Sequence, residues 1–245
     1  MNRPYIICHI LSALDGKITG KFMETEGARA TGEEYARIRT AFHADAWLYG
    51  TVTTKEFIGH RKPELEPVTE DIPEGDFVAE QKADLYYISV DANGEIGWES
   101  GTFRKAGRPD AHVIEILTEE TPAAYRAYLR RHGVSYVLAG KEKLDCRIAA
   151  EKLYRLFEIE TMLVCGGGTV NWTFLQQGLI DELSLLIAPA ADGSPTAVTV
   201  FEKSDFLPPS PPAEFQLKAV EQLKGDGIRL TYLVKKQESG EGRDR

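Results

Sequence analysis

The chain has 245 residues, with 29 Lys+Arg against 38 Asp+Glu and a formal net charge of −9 at pH 7. That balance argues against a nucleic-acid or membrane-surface protein, each of which normally presents a basic face. With 42% hydrophobic and 27% charged residues, the composition is that of an ordinary globular protein, and the length suits one large α/β domain or two small ones.

The apolar run from Tyr5 to Leu11 has neither a basic leader nor a small-residue cleavage site, and no stretch approaches the roughly 18 apolar residues of a membrane span. These features point to a cytoplasmic protein. Cys8, Cys146 and Cys165 are odd in number and show no CxxC spacing, which speaks against a disulfide framework and a cysteine zinc site. His43, His60, His112 and His132 are scattered without metal-ligand spacing, so no metal is expected.

Strand-length apolar runs alternate with helical patterns, the signature of a mostly parallel sheet with helices on its faces. Tyr5–Leu11 reads as a central strand running into Leu14-Asp15-Gly16-Lys17. Thr31-Gly32-Glu33-Glu34 has the form of a capping box, predicting a helix with Tyr35, Ile38 and Phe42 inward. Ala46–Tyr49 follows as a strand ending at Gly50-Thr51-Val52-Thr53. Between Gly59 and Asp76 stand three prolines and six acidic residues, a solvated loop long enough for a lid or subunit contact.

Further strands are expected at Leu85–Val90, His112–Leu117, Val134–Ala139 and Thr161–Cys165. A helix capped by Thr121 with Pro122 at its first position, and another capped by Asp145, lie between them. The last third reads as strands at Leu183–Ala188, Thr196–Phe201, Glu214–Val220 and Gly227–Val234, the final pair forming an antiparallel hairpin. Leu207–Pro212 is a stiff connector. Residues 1–236 form one domain in this reading, and 237–245 a disordered tail.

The strongest local feature is Met162-Leu163-Val164-Cys165-Gly166-Gly167-Gly168-Thr169, followed by a helical run. A strand that ends in three glycines and opens a helix gathers backbone amides and the positive end of the helix dipole around a space that suits an anion. A tight strand-to-helix turn with no ligand is the alternative. Asp15-Gly16-Lys17 and Gly50-x-x-Thr53 also stand at strand ends, where ligands bind in open α/β sheets. On spacing alone a simple turn is the favoured reading of Asp15-Gly16-Lys17 and the alternative for Gly50-x-x-Thr53.

Taken together, Leu14-Asp15-Gly16-Lys17, Gly50-x-x-Thr53, Val164–Thr169 and Gly178-Leu179-Ile180-Asp181-Glu182-Leu183 with Ala188-Pro189 resemble the riboflavin-biosynthesis pyrimidine reductases, the C-terminal domain of the bifunctional deaminase/reductase. The resemblance spans about Tyr5 to Val234. It implies a dihydrofolate-reductase-like three-layer α/β/α fold with a mostly parallel central sheet, NADPH as cofactor, a small-molecule substrate and a homodimer. Gly166, Gly167, Gly168 and Thr169 then hold the NADPH diphosphate, and Gly50 and Thr53 contact the cofactor. Asp15, Lys17 and His9 are the candidate catalytic residues, with Glu56 a further possible proton donor. Gly16, Thr31 and Cys165 are the candidate substrate contacts. Asp181 and Glu182 match a family signature but read as structural, because they open a buried strand.

The chain departs from the family pattern where His9 replaces a lysine, Cys165 a glutamate, and Thr54–Phe57 a segment with an aspartate. It has neither the HxE nor the PCxxC motif of a zinc deaminase. The family reaction passes hydride to the ribose C1′ of an aminopyrimidine ribose phosphate. A reductase of the same fold acting on another small carbonyl, imine or pterin-like compound, and a non-catalytic nucleotide-binding protein, are the alternatives. No arginine marks itself as a reader of the NADPH 2′-phosphate; Ser89 and Thr118, at or near strand ends, are candidates. Backbone amides need no net positive charge, so −9 is compatible with a phosphate-bearing ligand, the acidic residues being expected in the 59–76 loop and the tail.

Overall fold

A computed structural model describes residues 2–68, 71–203 and 207–235. In chain order the elements are β1 (Tyr5–Ser12), α1 (Glu26–Ala41), β2 (Ala46–Gly50), α2 (Thr51–Phe57), β3 (Tyr86–Val90), β4 (Thr102–Phe103), β5 (Ala111–Leu117) and α3 (Ala123–Arg131). Then follow β6 (Ser135–Leu138), α4 (Cys146–Phe157), β7 (Thr161–Val164), α5 (Gly168–Gln176), β8 (Glu182–Ile187), β9 (Phe215–Gln222) and β10 (Ile228–Val234).

The strands make one sheet in the order β4-β5-β3-β2-β7-β1-β8-β10-β9, with β6 also on β5. From β6 through β8 the neighbours are parallel, and β9 and β10 form the expected antiparallel hairpin at one edge. Helices cover both faces, as the alternation of strands and helices requires. Strand residues alternate between faces: Ile6, Cys8, Ile10, Leu48 and Val164 pack with α4 and α5, whereas Ile7, Trp47, Tyr49, Leu163 and Cys165 pack with α3. A smaller cluster joins Leu11 and Leu186 to Ala28 and Ile38 of α1.

Three expected boundaries are corrected. Helix α1 starts six residues before the capping box: Thr25 is its N-cap, accepting from the Ala28 amide at 3.3 Å, and Thr31 lies within the helix, donating to the Gly27 carbonyl at 2.8 Å. Burial of Ala28 in the Leu11 cluster outweighs the ~0.5–1 kcal/mol that Gly32 costs inside a helix. Thr121 does not cap α3, whose N-cap is Pro122; its hydroxyl donates to the Ala92 carbonyl instead. Asp145 does cap α4, accepting from the amides of Arg147 and Ile148. Thr196–Phe201 is not a strand of the sheet. It lies across the carboxyl ends of other strands, with Ile18 donating to Val198, Val200 to Gly16 and Glu202 to Gly168.

The described part of the 59–76 loop carries no helix or strand. Its far end is fixed by Asp76, which pairs with Lys152 at 2.8 Å and accepts from the Leu138 amide. Asp181 and Glu182 are structural, as read: Arg3 grips Asp181 through two 2.8 Å bonds, and Lys218 pairs with Glu182 at 2.7 Å. The 237–245 tail lies outside the described residues.

Candidate active site

Strands β2, β7 and β1 are parallel neighbours, so their carboxyl ends share one edge of the sheet. A cleft of about 1240 Å³ opens there, lined by Gly50–Thr53, Val90–Asn93, Gly167–Val170 and the Glu142–Leu144 turn. Gly50 and Gly167 are the N-caps of α2 and α5, and neither helix has a side-chain cap. The first amide of α5 to find its helical partner is that of Asn171, on the Gly167 carbonyl at 3.0 Å. The amides before it are therefore left for a ligand at the positive end of the helix dipole.

The three glycines have different work. A Cβ on Gly168 would overlap the Thr199 carbonyl oxygen, so this glycine lets the crossing segment close on the loop. Gly166 has φ of 103°, a conformation that favours glycine, and its peptide bond to Gly167 is cis. At Gly167 a Cβ would meet nothing within 4 Å. That open space against bare backbone is what a phosphate oxygen needs to reach amide hydrogens. Thr53 and Thr169 line the same cleft.

The Asp15-Gly16-Lys17 turn stands beside the cleft and is tied to the crossing segment. Gly16 has φ of 78°, and its amide closes a turn on Ala13 at 3.0 Å. The Asp15 carboxylate accepts from the Gly193 amide at 2.8 Å, a bond that holds its pKa below the usual carboxylate range. Lys17 donates through Nζ to the Ala197 carbonyl at 3.1 Å. The cleft lining takes up again at Ile18 and Thr19, immediately after this turn.

His9, Cys165 and Thr31 lie elsewhere. His9 is 0% exposed, stacked on Tyr35 with ring centroids 4.3 Å apart. Its Nε2 faces the Tyr35 carbonyl and its Nδ1 the Ser184 hydroxyl, both at 3.1 Å. A carbonyl only accepts, so Nε2 carries a proton, while Arg229 donates to the Ser184 oxygen and leaves its hydroxyl to donate to Nδ1, so the ring is neutral. Burial pushes its pKa down to about 3. Cys165 is buried on the same sheet face, and burial raises its thiol pKa. Thr31 is fully buried within α1. The structure thus gathers Gly50, Thr53 and Gly167–Thr169 at the cleft and places His9, Thr31 and Cys165 in the packed layer behind it.

Several cleft residues were not singled out from sequence. Asp91 is 1% exposed, and its carboxylate accepts from the amides of Glu95 and Ile96 and from the Tyr125 hydroxyl, fixing the turn that carries Asn93. Burial raises its pKa. With Glu56, Glu142 and Glu202 it gives the lining four carboxylates, which corrects the expectation that acidic residues stay away from the strand ends. Lys143 is a cation in the same lining, but four carboxylates outnumber it, so attraction for an anion rests chiefly on the amides. Ser89 and Thr118 are both buried, so neither is placed to read a phosphate.

Comparison with known proteins bears on the family and the fold. The family model of the RibD C-terminal domain matches residues 104–228. A 2,5-diamino-6-ribosylamino-4(3H)-pyrimidinone 5′-phosphate reductase from Methanothermobacter thermautotrophicus is 27% identical over 95% of this chain and 99% of its own. One of the same name from Archaeoglobus fulgidus is 22% identical over 94% and 97%. Among solved structures, a pyrimidine reductase-like protein from Corynebacterium diphtheriae superposes with a TM-score of 0.67 at 17% identity, covering 96% of this chain and 94% of that one. The riboflavin biosynthesis reductase Rib7 of Saccharomyces cerevisiae gives 0.57 at 17% identity, covering 96% and 91%.

Proposed function

Because this chain belongs to the RibD C-terminal domain family, the pyrimidine reductases of riboflavin biosynthesis, we propose that it is an NADPH-dependent reductase of a phosphorylated ribosylaminopyrimidine. The observation that carries the cofactor reading is the open space over Gly167, where a Cβ would touch nothing, beside the uncapped start of α5. When bound, NADPH would supply the hydride for reduction at the ribose C1′. The amides of Gly167, Gly168 and Thr169 hold its diphosphate, and Gly50 and Thr53 form the opposite wall. Asp15 and Lys17 act by position: Lys17 bonds the crossing segment at Ala197, and Asp15 the chain just before it at Gly193. Their turn and that segment thereby shape one rim of the cleft, which serves alignment of donor and acceptor carbons.

The enzyme works as a homodimer in this reading. Strand β9 is a sheet edge and leaves Leu217 and Val220, which the register places on one face, 52% and 60% exposed. A long edge with apolar side chains is a liability unless another surface covers it. A second copy of the chain is the partner proposed, and Leu217→Lys should shift the sedimentation coefficient to that of a monomer. Among the described residues no helix is long and apolar enough to cross a membrane, and a cytoplasmic location is part of the proposal.

The test is direct. Purified protein is mixed with NADPH and the 2,5-diamino-6-ribosylaminopyrimidinone 5′-phosphate, and nicotinamide absorbance is followed together with complementation of a reductase-deficient riboflavin auxotroph. Oxidation of NADPH and growth are expected. Absence of both with well-expressed, folded protein overturns the assignment.

A further inference from the structure

Behind the cleft, on the sheet face that carries Tyr49 and Cys165, two arginines converge where nothing neutralises them. Arg39 is 4% exposed, yet among the described residues it has no carboxylate within ion-pair distance. Its guanidinium lies 4.2 Å from the centroid of the Trp47 ring, Nη1 reaches the Tyr49 hydroxyl at 3.5 Å, and its Nε–H is buried with no hydrogen-bond acceptor. Arg108 comes from the other side. Six of the seven residues in the 104–110 loop are exposed, whereas Arg108 turns inward, donating to the same Tyr49 hydroxyl at 2.8 Å and stacking 4.5 Å from the Phe57 centroid. It too lacks an acidic partner among the described residues.

Removing a guanidinium from water without a counter-charge is costly, and ring faces return only ~1–2 kcal/mol of it. Arg39 is such a group, and the half-buried Arg108 aims a second fork at the same phenol oxygen, so together they leave a demand for an anion. Their forks match a phosphate oxygen pair, and two positive charges balance a dianion rather than a carboxylate. The place fits as well. Tyr49 immediately precedes Gly50, and the Gly50 amide bonds Gly166 at 2.9 Å, so the pair lies one residue behind the cleft wall. Phe57, under Arg108, ends α2, whose first turn lines that wall.

We propose that Arg39 and Arg108, held by the Tyr49 hydroxyl, form a phosphate-monoester subsite distinct from the amide cradle of the cleft, and that it receives the substrate's sugar phosphate. The assignment of a substrate phosphate rests on the functional reading above; the anion subsite itself does not. Arg108 is the more exposed member, and the ligand replaces its bond to Tyr49.

The test uses the full chain with ribose 5-phosphate as probe and ribose as control, by calorimetry, followed by steady-state kinetics. Wild type should bind ribose 5-phosphate and not ribose, with affinity falling as salt rises. Arg108→Met, which keeps the stem on Phe57, should weaken that binding at least tenfold. It should also raise KM for the phosphorylated pyrimidine at least tenfold with KM for NADPH unchanged. Arg39→Lys keeps the charge but loses the fork, and should weaken binding severalfold; an unchanged melting temperature shows that each variant is folded. Equal binding of ribose 5-phosphate by wild type and Arg108→Met, or no binding by wild type, overturns the subsite. If the pyrimidine is reduced while Arg108→Met leaves its KM alone, the subsite fails and the reductase reading stands. If ribose 5-phosphate binds through the arginines but the pyrimidine is not reduced, the subsite stands and that reading fails.

Discussion

The Gly50 amide donates to the Gly166 carbonyl at 2.9 Å, joining the carboxyl ends of β2 and β7 at the point where both chains turn into helices. This bond sets the width of the cleft between α2 and α5. A Cβ on Gly50 would sit 2.8 Å from Val170 Cγ2, and a β-branched side chain in the first turn of a helix has few ways to give.

Gly50→Ala should therefore press α5 away from α2. Overpacking of this kind costs about 1–3 kcal/mol, and the displaced amides should weaken NADPH binding at the same time. Val170→Ala removes the obstructing methyl groups, so the double variant should recover most of the stability lost by Gly50→Ala. A double-mutant cycle by urea denaturation reads the coupling. Additive losses would show that Val170 is not what Gly50 must clear.

Gly167→Val tests the cradle with the opposite steric logic. Its Cβ meets nothing within 4 Å, and its φ of −75° suits any residue. Stability should change by no more than about 0.5 kcal/mol, the range of substitutions that disturb no packing. The new side chain fills the space where the diphosphate would lie, so NADPH binding should fall at least tenfold, measured by fluorescence titration. Wild-type affinity in a folded variant would remove the glycine loop from the cofactor site.

How much of this was legible before the structure depends on how local each signal is. The strands and the loop after β7 were legible because each is written in consecutive residues: apolar runs covered on both faces, then three glycines and a helix. The start of α1 was not. Thr31 has the better capping sequence, but Thr25 has the apolar contact, because Ala28 joins Leu11 and Leu186 only when the helix begins early. The Arg39–Arg108 pair was illegible for a stronger reason: 69 positions separate the two residues, and only the packing of α1 and the 104–110 loop around Tyr49 brings them together.

The cap assignment makes its own prediction. Thr25→Ala removes the oxygen that accepts from the Ala28 amide and the hydroxyl that donates to the Phe22 carbonyl, and should cost about 1 kcal/mol. Thr31→Val keeps the shape of a fully buried residue and removes only a bond to a carbonyl inside the same helix. It should cost less than Thr25→Ala, and chemical denaturation of the two variants compares them. The reverse order would restore Thr31 as the residue that starts α1.

His9 gives the last prediction, because its environment fixes the sign of a pH effect. Arg229 donates through Nε to the Ser184 oxygen at 3.0 Å, leaving the Ser184 hydroxyl to donate to His9 Nδ1, while Nε2–H is spent on the Tyr35 carbonyl. Every polar atom of the ring is satisfied only in the neutral form, and its pKa is about 3 against 6.5 for a free histidine. The unfolded chain therefore binds this proton first as pH falls. The stabilisation is complete above pH 6.5, is lost progressively below it, and is gone once pH passes the folded value. For this one proton the slope approaches about 1.4 kcal/mol per pH unit between those limits. His9→Gln does not titrate, so its stability should fall less than that of wild type between pH 7 and pH 4, as read from urea midpoints. The same burial argues against proton transfer from this ring during turnover. The kcat profile should accordingly keep its shape near pH 6.5 in His9→Gln; a limb there that disappears with the substitution would place His9 among the catalytic groups.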